Sequence, residues 1–478
     1  MLFNAFVMNC VSHIHHGLWT RPDTRQLAYR SLDPWLDLAR ILEAGHFDAL
    51  FLADVVGVYD TYRGGPETSI REAMQIPSND PTLLIPAMAA VTRDLGFAYT
   101  GSVMADHPFV FARRASTLDH LTDGRVAWNI VTSYLPSAAR NLSLGDLPAH
   151  DDRYDRADDY LDVLYKLWEG SWADDAVVID RERGIYADPD KVRTIDHEGP
   201  YYRVPGPHLC EPSAQRTPVL FQAGSSDRGR EFAARHAECI FVVSSGAGVA
   251  KVKADVERRA ARYGRRPGEI RVFQGVTPVV GGTEAEAKAK EADLRESLSI
   301  EGGLAHLSGT IGIDLGGEDL DRPIDTLDLN AMTGMVKAMA EAAPDRTWTV
   351  RDVAARQMTG QFMVGTPEQI ADRLETLAEN GADGFNLVST VTPGAFVDFI
   401  DGVAPVLQAR GRMQTDYQPG PLRRKLFGHP RLPAHHPGRV SAGRVGSSVG
   451  PGCESTAVAR PSGTVSGGDG GSEHQPHS

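Results

Sequence analysis

Residues 218–244 read PVLFQAGSSDRGREFAARHAECIFVVS. An apolar run closes on Gly224, two serines follow, a stretch of helical period carries Gly229 in its first turn, and a second apolar run begins at Cys239. Both runs are apolar at successive positions, so both of their faces must be covered, as in a parallel sheet whose strands are joined by helices. The stretch is a strand–helix–strand unit.

The alternation continues outward in both directions. Comparable strand runs occupy 2–9, 48–54, 95–102 and 125–133 before it, and 270–280 and 384–390 after it. The helices between them have legible ends. One spans 35–44 and stops at Gly45; another spans about 153–169, with Tyr154, Ala157, Leu161, Leu164 and Trp168 on one face and Gly170 following. A third starts at Thr366, with Pro367 in its first position and Gln369 three residues past the cap, and stops at Gly381. Eight strands alternating with helices predict an α/β fold, a (β/α)8 TIM barrel, with its active site at the C-terminal strand ends. A doubly wound sheet is the rival, but it wants a Gly-rich dinucleotide turn after the first strand, and NCVSHIHHGLW (9–19) is not one.

The barrel is expected to fill residues 1–428, with long insertions at about 174–217 and 300–363, segments of the kind that serve as lids or binding loops. From Gly428 onward there is no Phe, Tyr, Trp, Ile or Met, so 429–478 reads as a disordered tail. The pattern GSSVG (446–450) matches the serine-hydrolase elbow, but it sits in that tail with no strand before it and is read as chance.

A formal charge of −14 argues against nucleic acid and anionic membrane surfaces, and no apolar run approaches the ~20 residues of a membrane span. The opening MLFNAFVMNCV reads as a buried strand rather than a signal peptide. Four cysteines without a C-x-x-C pair fit a reduced, cytoplasmic protein.

The polar residues at the strand ends are Asn9, Asp54, Ser102, Asn129 to Ser133, Ser225, Ser226, Ser244, Thr277 and Ser389. No lysine stands among them for Schiff-base chemistry, and no H-x-H opens a metallohydrolase set, so no metal site is expected. What remains is a nearly neutral, hydrogen-bonding cup, suited to a cofactor that brings its own reactivity. Ser225 and Ser226 before a helix can bind a phosphate at its N-terminus or merely cap it; both readings stand. Tyr154 and Arg156 on the helix after the fourth strand can reach a phosphate, or can face a core and nearby aspartates. His13, His15 and His16 with Trp19 form a loop that offers imidazole and indole faces to a substrate.

Five stretches carry a resemblance: FDALFLAD (47–54), HPFVFARRASTLDHLTDGRVAWNIVTS (107–133), HDDRYDRADDYLDVLYKLWEG (150–170), AGSSDRGREFAARHAE (223–238) and GTPEQIADRLETLAENGADGF (365–385). In that order they resemble the nitrilotriacetate and dibenzothiophene-sulfone monooxygenase group of the luciferase-like flavoenzymes, over all but the tail. The resemblance implies a two-component monooxygenase that uses O2 and reduced FMN (FMNH2) supplied by a separate NAD(P)H:flavin reductase. It also implies pairing of barrels, as a homodimer or higher homo-oligomer, and a catabolic role. It places Asp54, Ser102 and Asn129 near the isoalloxazine, Tyr154, Ser225 and Ser226 at the phosphate, and oxygen activation at Asn129, with Ser102 second. Such enzymes oxidatively cleave or hydroxylate small organic molecules. The first loops, with His13, His15, His16, Trp19 and Tyr59 against few cations, favour a planar heterocycle over a polyanionic chelator. The rivals are a deazaflavin-dependent hydride-transfer oxidoreductase, a non-catalytic flavin-binding barrel, and a sugar-phosphate isomerase, for which no strand-end Glu base is found.

Overall fold

The computed structural model describes residues 1–443 except 225, 243–246, 327–346 and 361. The eight expected strands are present: β1 (Leu2–Met8), β2 (Ala49–Ala53), β3 (Gly96–Ser102), β4 (Val126–Val131), β5 (Val219–Gln222), β6 (Cys239–Val242), β7 (Arg271–Val280) and β8 (Gly384–Val388). All neighbours pair in parallel and in chain order, and β8 returns to β1, with Leu2 opposite Gly384, so the sheet closes into a TIM barrel. A further strand, Phe362–Gly365, adds to the upper end of β7.

Side chains alternate across each strand, and this period decides what fills the barrel. Phe6, Phe51, Ala98, Ala127, Phe221 and Phe273 form one interior cluster. Phe6 meets Phe51 at 5.2 Å, Phe51 meets Phe221 at 5.3 Å, and Phe221 meets Phe273 at 5.3 Å between ring centroids. Residues two steps further along the same strands share the inward face, which lifts Thr100, Ser102 and Asn129 above this aromatic floor.

The N-terminal end of the barrel is plugged by the short helix Leu422–Phe427, whose Leu422 and Leu426 join the interior cluster. Arg423, between them, is fully buried and forms a two-pronged ion pair with Glu238 (2.7 and 2.9 Å) while donating to the carbonyl of Pro218.

The helix ends follow the expected punctuation. Helix α1 (Leu32–Ala44) stops at Gly45, and α2 (Pro108–Leu121) follows β3. Helix α3 (His150–Tyr165) continues into the π-turn Lys166–Gly170. Helix α4 (Asp227–His236) follows β5, and α5 (Ala247–Ala261) follows β6. Helices α6 (Ile300–Ile311) and α7 (Val350–Thr359) belong to the long insertion, and α8 (Pro367–Glu379) carries the Thr366–Gln369 capping box.

The two insertions differ in kind. Residues 174–217 make two short hairpins that brace α2 and α3: His208 Nε2 shares a hydrogen bond with Ser116 (2.9 Å), and the Asp159 carboxylate accepts from the backbone of Tyr201 and Tyr202 and from His197. The described part of 300–363 instead builds a second apolar core with the loop after β2, joining Leu304, Leu307, Ile311, Val350 and Val353 to Tyr59, Tyr62 and Met74.

One boundary expectation is corrected. Residues 429–443, assigned by composition to a disordered tail, are packed: Leu432 and His436 are buried, and the helix Pro437–Ala442 lies against α3. Composition counted the scarcity of large apolar residues but not that one leucine and one histidine suffice when a surface already waits for them, here beside Tyr165. The rest of that tail lies outside the described residues. No described helix is long and apolar enough to cross a membrane.

Candidate active site at the barrel mouth

The floor of the mouth is neutral and short of partners. The Asn129 amide nitrogen donates to Thr100 Oγ1 at 3.0 Å, while its oxygen is buried with no partner among the described residues. Such an oxygen costs free energy until something donates to it. Ser102 shares a hydrogen bond with Ser133 (2.7 Å) and accepts from the Met104 backbone (3.1 Å). Asp54, just past β2, has its carboxyl raised to about 6, first by burial and then by Asp80, against the hydrogen bond from Val55.

Between β4 and β5 the character changes. Ser226 caps α4, accepting from Gly229 N at 3.0 Å, and shares a hydrogen bond with His150 Nε2 at 3.1 Å. The Tyr154 hydroxyl accepts from Gln222 Nε2 at 3.3 Å and stands so close to the turn that a Cβ on Gly224 or Gly229 would lie 2.5 or 2.8 Å from it. Both positions therefore require glycine for close approach rather than for backbone freedom. Ser225 lies outside the described residues.

Arg153 completes this cup. It is buried, it donates through Nη1 to the carbonyl of Ser133, and its Nε has no partner; no carboxylate among the described residues pairs with it. Burial holds its guanidinium below the usual range. A buried cation that no carboxylate among the described residues pairs with, next along α3 to the tyrosine that touches the capped turn, makes this cup a candidate site for an anion. Arg156, the arginine expected here, points elsewhere and donates to Tyr202 OH at 2.7 Å. The helical period explains the exchange: on α3 the buried face carries Arg153, Tyr154, Ala157 and Leu161, and Arg156 falls off it.

Over the mouth lies α6. His306 on this helix pairs through Nδ1 with His16 Nε2 (2.9 Å), and His16 Nδ1 pairs in turn with Ser12 Oγ (3.0 Å). The His306 ring meets Tyr59 edge-on at 5.1 Å; the Tyr59 hydroxyl bonds that of Tyr134 and reaches Gln75 at 3.4 Å. His13 packs on Phe6 at 4.9 Å, at the centre of the mouth.

The expected substrate loop is thus divided. His13, His16 and Tyr59 converge on the mouth, whereas His15 bonds the Met358 carbonyl at 2.6 Å and sits on Phe362 under the lid. Trp19 is partly buried against the barrel core. Sequence reading missed His306, Gln75 and Tyr134, which come from distant segments with no spacing to join them; it also missed Arg153. Among the described residues no three His, Cys, Asp or Glu side chains are placed to hold a metal.

Burial keeps these imidazoles neutral, lowering His13 to about 3 and His306 to about 4, the latter from 6.5. A histidine that binds its proton near 6.5 when unfolded but near 4 when folded contributes stability above 6.5, which is lost as pH falls toward 4. Asp48 and Asp54, raised from 3.8 to about 7 and about 6, act in the opposite sense over that range, so a comparison isolates the histidine. Relative to His306→Gln, the unsubstituted protein should lose on the order of 2–3 kcal/mol between pH 6.5 and 4, read by urea unfolding at each pH. Parallel profiles would mean that His306 titrates normally.

The model of the family described as luciferase-like monooxygenase matches residues 9–384. A long-chain alkane monooxygenase of Geobacillus thermodenitrificans (strain NG80-2) is 50% identical over 439 residues, covering 91% of this chain and 96% of that one. The dimethyl-sulfide monooxygenase of Hyphomicrobium sulfonivorans is 46% identical over 444 residues, covering 91% and 92%. The crystal structure of a riboflavin lyase with modified FMN and its substrate riboflavin superposes with a TM-score of 0.84 at 37% identity, over 92% of this chain and 99% of that one.

Proposed function

The chain belongs to the luciferase-like monooxygenase family, and from that premise we propose a two-component enzyme that uses FMNH2 and O2 to oxidise an uncharged small organic substrate. The observation that carries it is the cup between β4 and β5, where Arg153, buried and paired with no carboxylate among the described residues, is the chain neighbour of Tyr154, whose hydroxyl stands against the turn that opens the Ser226-capped helix. A phosphate monoester fits this donor set: Arg153, His150, Ser226 and Tyr154 would hold it. Asn129, its amide oxygen unpaired, would accept from a ring N–H, with Ser102 and Asp54 at the same rim. Asn129 remains the residue assigned to oxygen activation, and Ser102 the second candidate.

When bound, reduced FMN supplies the electrons with which O2 is activated and one oxygen atom is transferred to the substrate. The chain's own residues bind, orient and exclude water. The lid core of α6 and α7 covers the mouth, which protects an oxygen-sensitive cofactor from unproductive reaction. His16 links Ser12 to His306 Nδ1, so His306 Nε2 is the ring nitrogen outside that chain and would be the atom to give or take a proton near the substrate.

The substrate loop had favoured a planar heterocycle. In the folded chain His16, His306 and Tyr59 meet one another edge to face rather than presenting one flat platform, so the lining supports an uncharged substrate more strongly than a flat one. Reduced FMN comes, in this proposal, from a separate NAD(P)H:flavin reductase, since the segment after β1 holds buried histidines where a dinucleotide site would have a Gly-rich turn. The test is turnover with an added flavin reductase under ¹⁸O2: one labelled oxygen in the product is expected. Substrate oxidation without label, or without O2, would move the chain to hydride-transfer chemistry.

A further inference from the structure

The segment that leaves β4 touches both the anion cup and the lid. Ser133, just past the end of that strand at Val131, has a φ of +59°. Residues other than glycine hold this left-handed conformation only where their surroundings over-determine it. Here the Ser133 carbonyl accepts from Arg153 Nη1, and Ser133 Oγ shares a hydrogen bond with Ser102 Oγ at 2.7 Å. Arg153 Nε has no partner, so one arm of the guanidinium fork can hold the carbonyl while another takes an anion.

Beyond Ser133 the segment runs into the lid. The Tyr134 hydroxyl bonds that of Tyr59, and Ser137 Oγ donates to the Val58 carbonyl at 2.6 Å. Leu135 and Ala138 are buried in the apolar core they share with Leu304, Leu307 and Ile311 of α6. Tyr59 lies against the same helix: its ring meets His306 at 5.1 Å, and a Cβ on Gly309 would come within 2.4 Å of its Cδ1. With Gly302, Gly303 and Gly309 among its twelve residues, α6 has a poor helical preference of its own and is held by packing. Such a helix responds when a neighbour is fixed or freed.

We propose that Ser133 is a positioning residue that couples the cup to the lid. An anion held by Arg153 fixes the Ser133 carbonyl, the left-handed turn carries that order into Tyr134, and Tyr134 secures Tyr59 against α6. The proposal rests on the phosphate reading of the cup. The lid then tightens when the phosphate of the flavin arrives, and a flavin lacking that phosphate leaves it loose.

The test is hydrogen exchange on the full-length, flavin-free protein, with inorganic phosphate as the probe against potassium chloride of equal ionic strength. Calorimetry on the same samples reports whether phosphate binds. Saturating phosphate should slow exchange of the α6 amides by about tenfold and leave α1 unchanged. Tyr134→Phe, at a half-exposed position where folding is not at stake, should still bind phosphate but lose the slowing. Ser133→Gly keeps the carbonyl and accepts the left-handed turn, yet frees the segment and drops the link to Ser102; it should cut the slowing to about threefold or less. A merely structural role for these side chains would speed exchange equally with and without phosphate, and an unchanged ratio in both variants would overturn the proposal. Phosphate binding with no change in α6 exchange in the unsubstituted protein would overturn the coupling alone. Absence of phosphate binding there would overturn the cup and the coupling together.

Discussion

Arg153→Ala will weaken binding of reduced FMN by about 100-fold, as expected for loss of a desolvated, charge-assisted contact to phosphate. Reduced riboflavin, which has no phosphate, should bind the variant and the parent protein equally. The pair of ligands matters, because a merely structural arginine would affect both alike. The expectation follows from burial: Arg153 is enclosed, its Nε is unpartnered, and no carboxylate among the described residues pairs with it, so its charge awaits an anion. Arg156→Ala should change neither affinity, since that side chain is spent on Tyr202.

The second large effect concerns stability rather than chemistry. Arg423→Ala leaves Glu238 as an unpaired charge under the barrel floor and should cost about 3–5 kcal/mol in urea unfolding. The pair is fully enclosed, with Arg423 also donating to the Pro218 carbonyl and its backbone to Gln215. Replacing both partners, as in Arg423→Met with Glu238→Met, should recover much of that loss, because no charge is then left in a dry place. If the single and double variants prove equally unstable, the helix Leu422–Phe427 is held by its leucines and the ion pair contributes little.

The barrel was legible because its strands obey a local rule. Eight runs apolar on both faces, separated by capped amphipathic helices, admit few closed arrangements, and the Thr366–Gln369 capping box is present as the spacing required. The limits of the ordered chain were less legible. Composition placed the end at Gly428, yet His436 and Leu432 are buried against a surface that only the folded barrel creates.

Within the site, legibility followed sequence distance. The cup between β4 and β5 could be glimpsed because Ser226 and Gly229 lie in one motif and Tyr154 in another that the family resemblance joins to it. The choice between Arg153 and Arg156 required knowing which face of α3 is buried, a question three residues of helical period decide but charge patterning does not. His306 was invisible: a single histidine on an apolar helix gives no hint that it will meet His16 across 290 residues of chain. The loop 9–20 carried the opposite lesson. Its three histidines looked alike in sequence, and folding sends His13 to the floor, His16 to the lid and His15 beneath it.

The central claim is that the mouth is built for a reduced flavin whose electrons go to O2. Anaerobic titration of the flavin-free protein with reduced FMN, followed by an oxygen pulse in the presence of an uncharged substrate, tests it most directly. One equivalent of reduced FMN should bind, and product should form only after oxygen is admitted. Absence of any affinity for reduced FMN, or conversion before the pulse, would contradict the account.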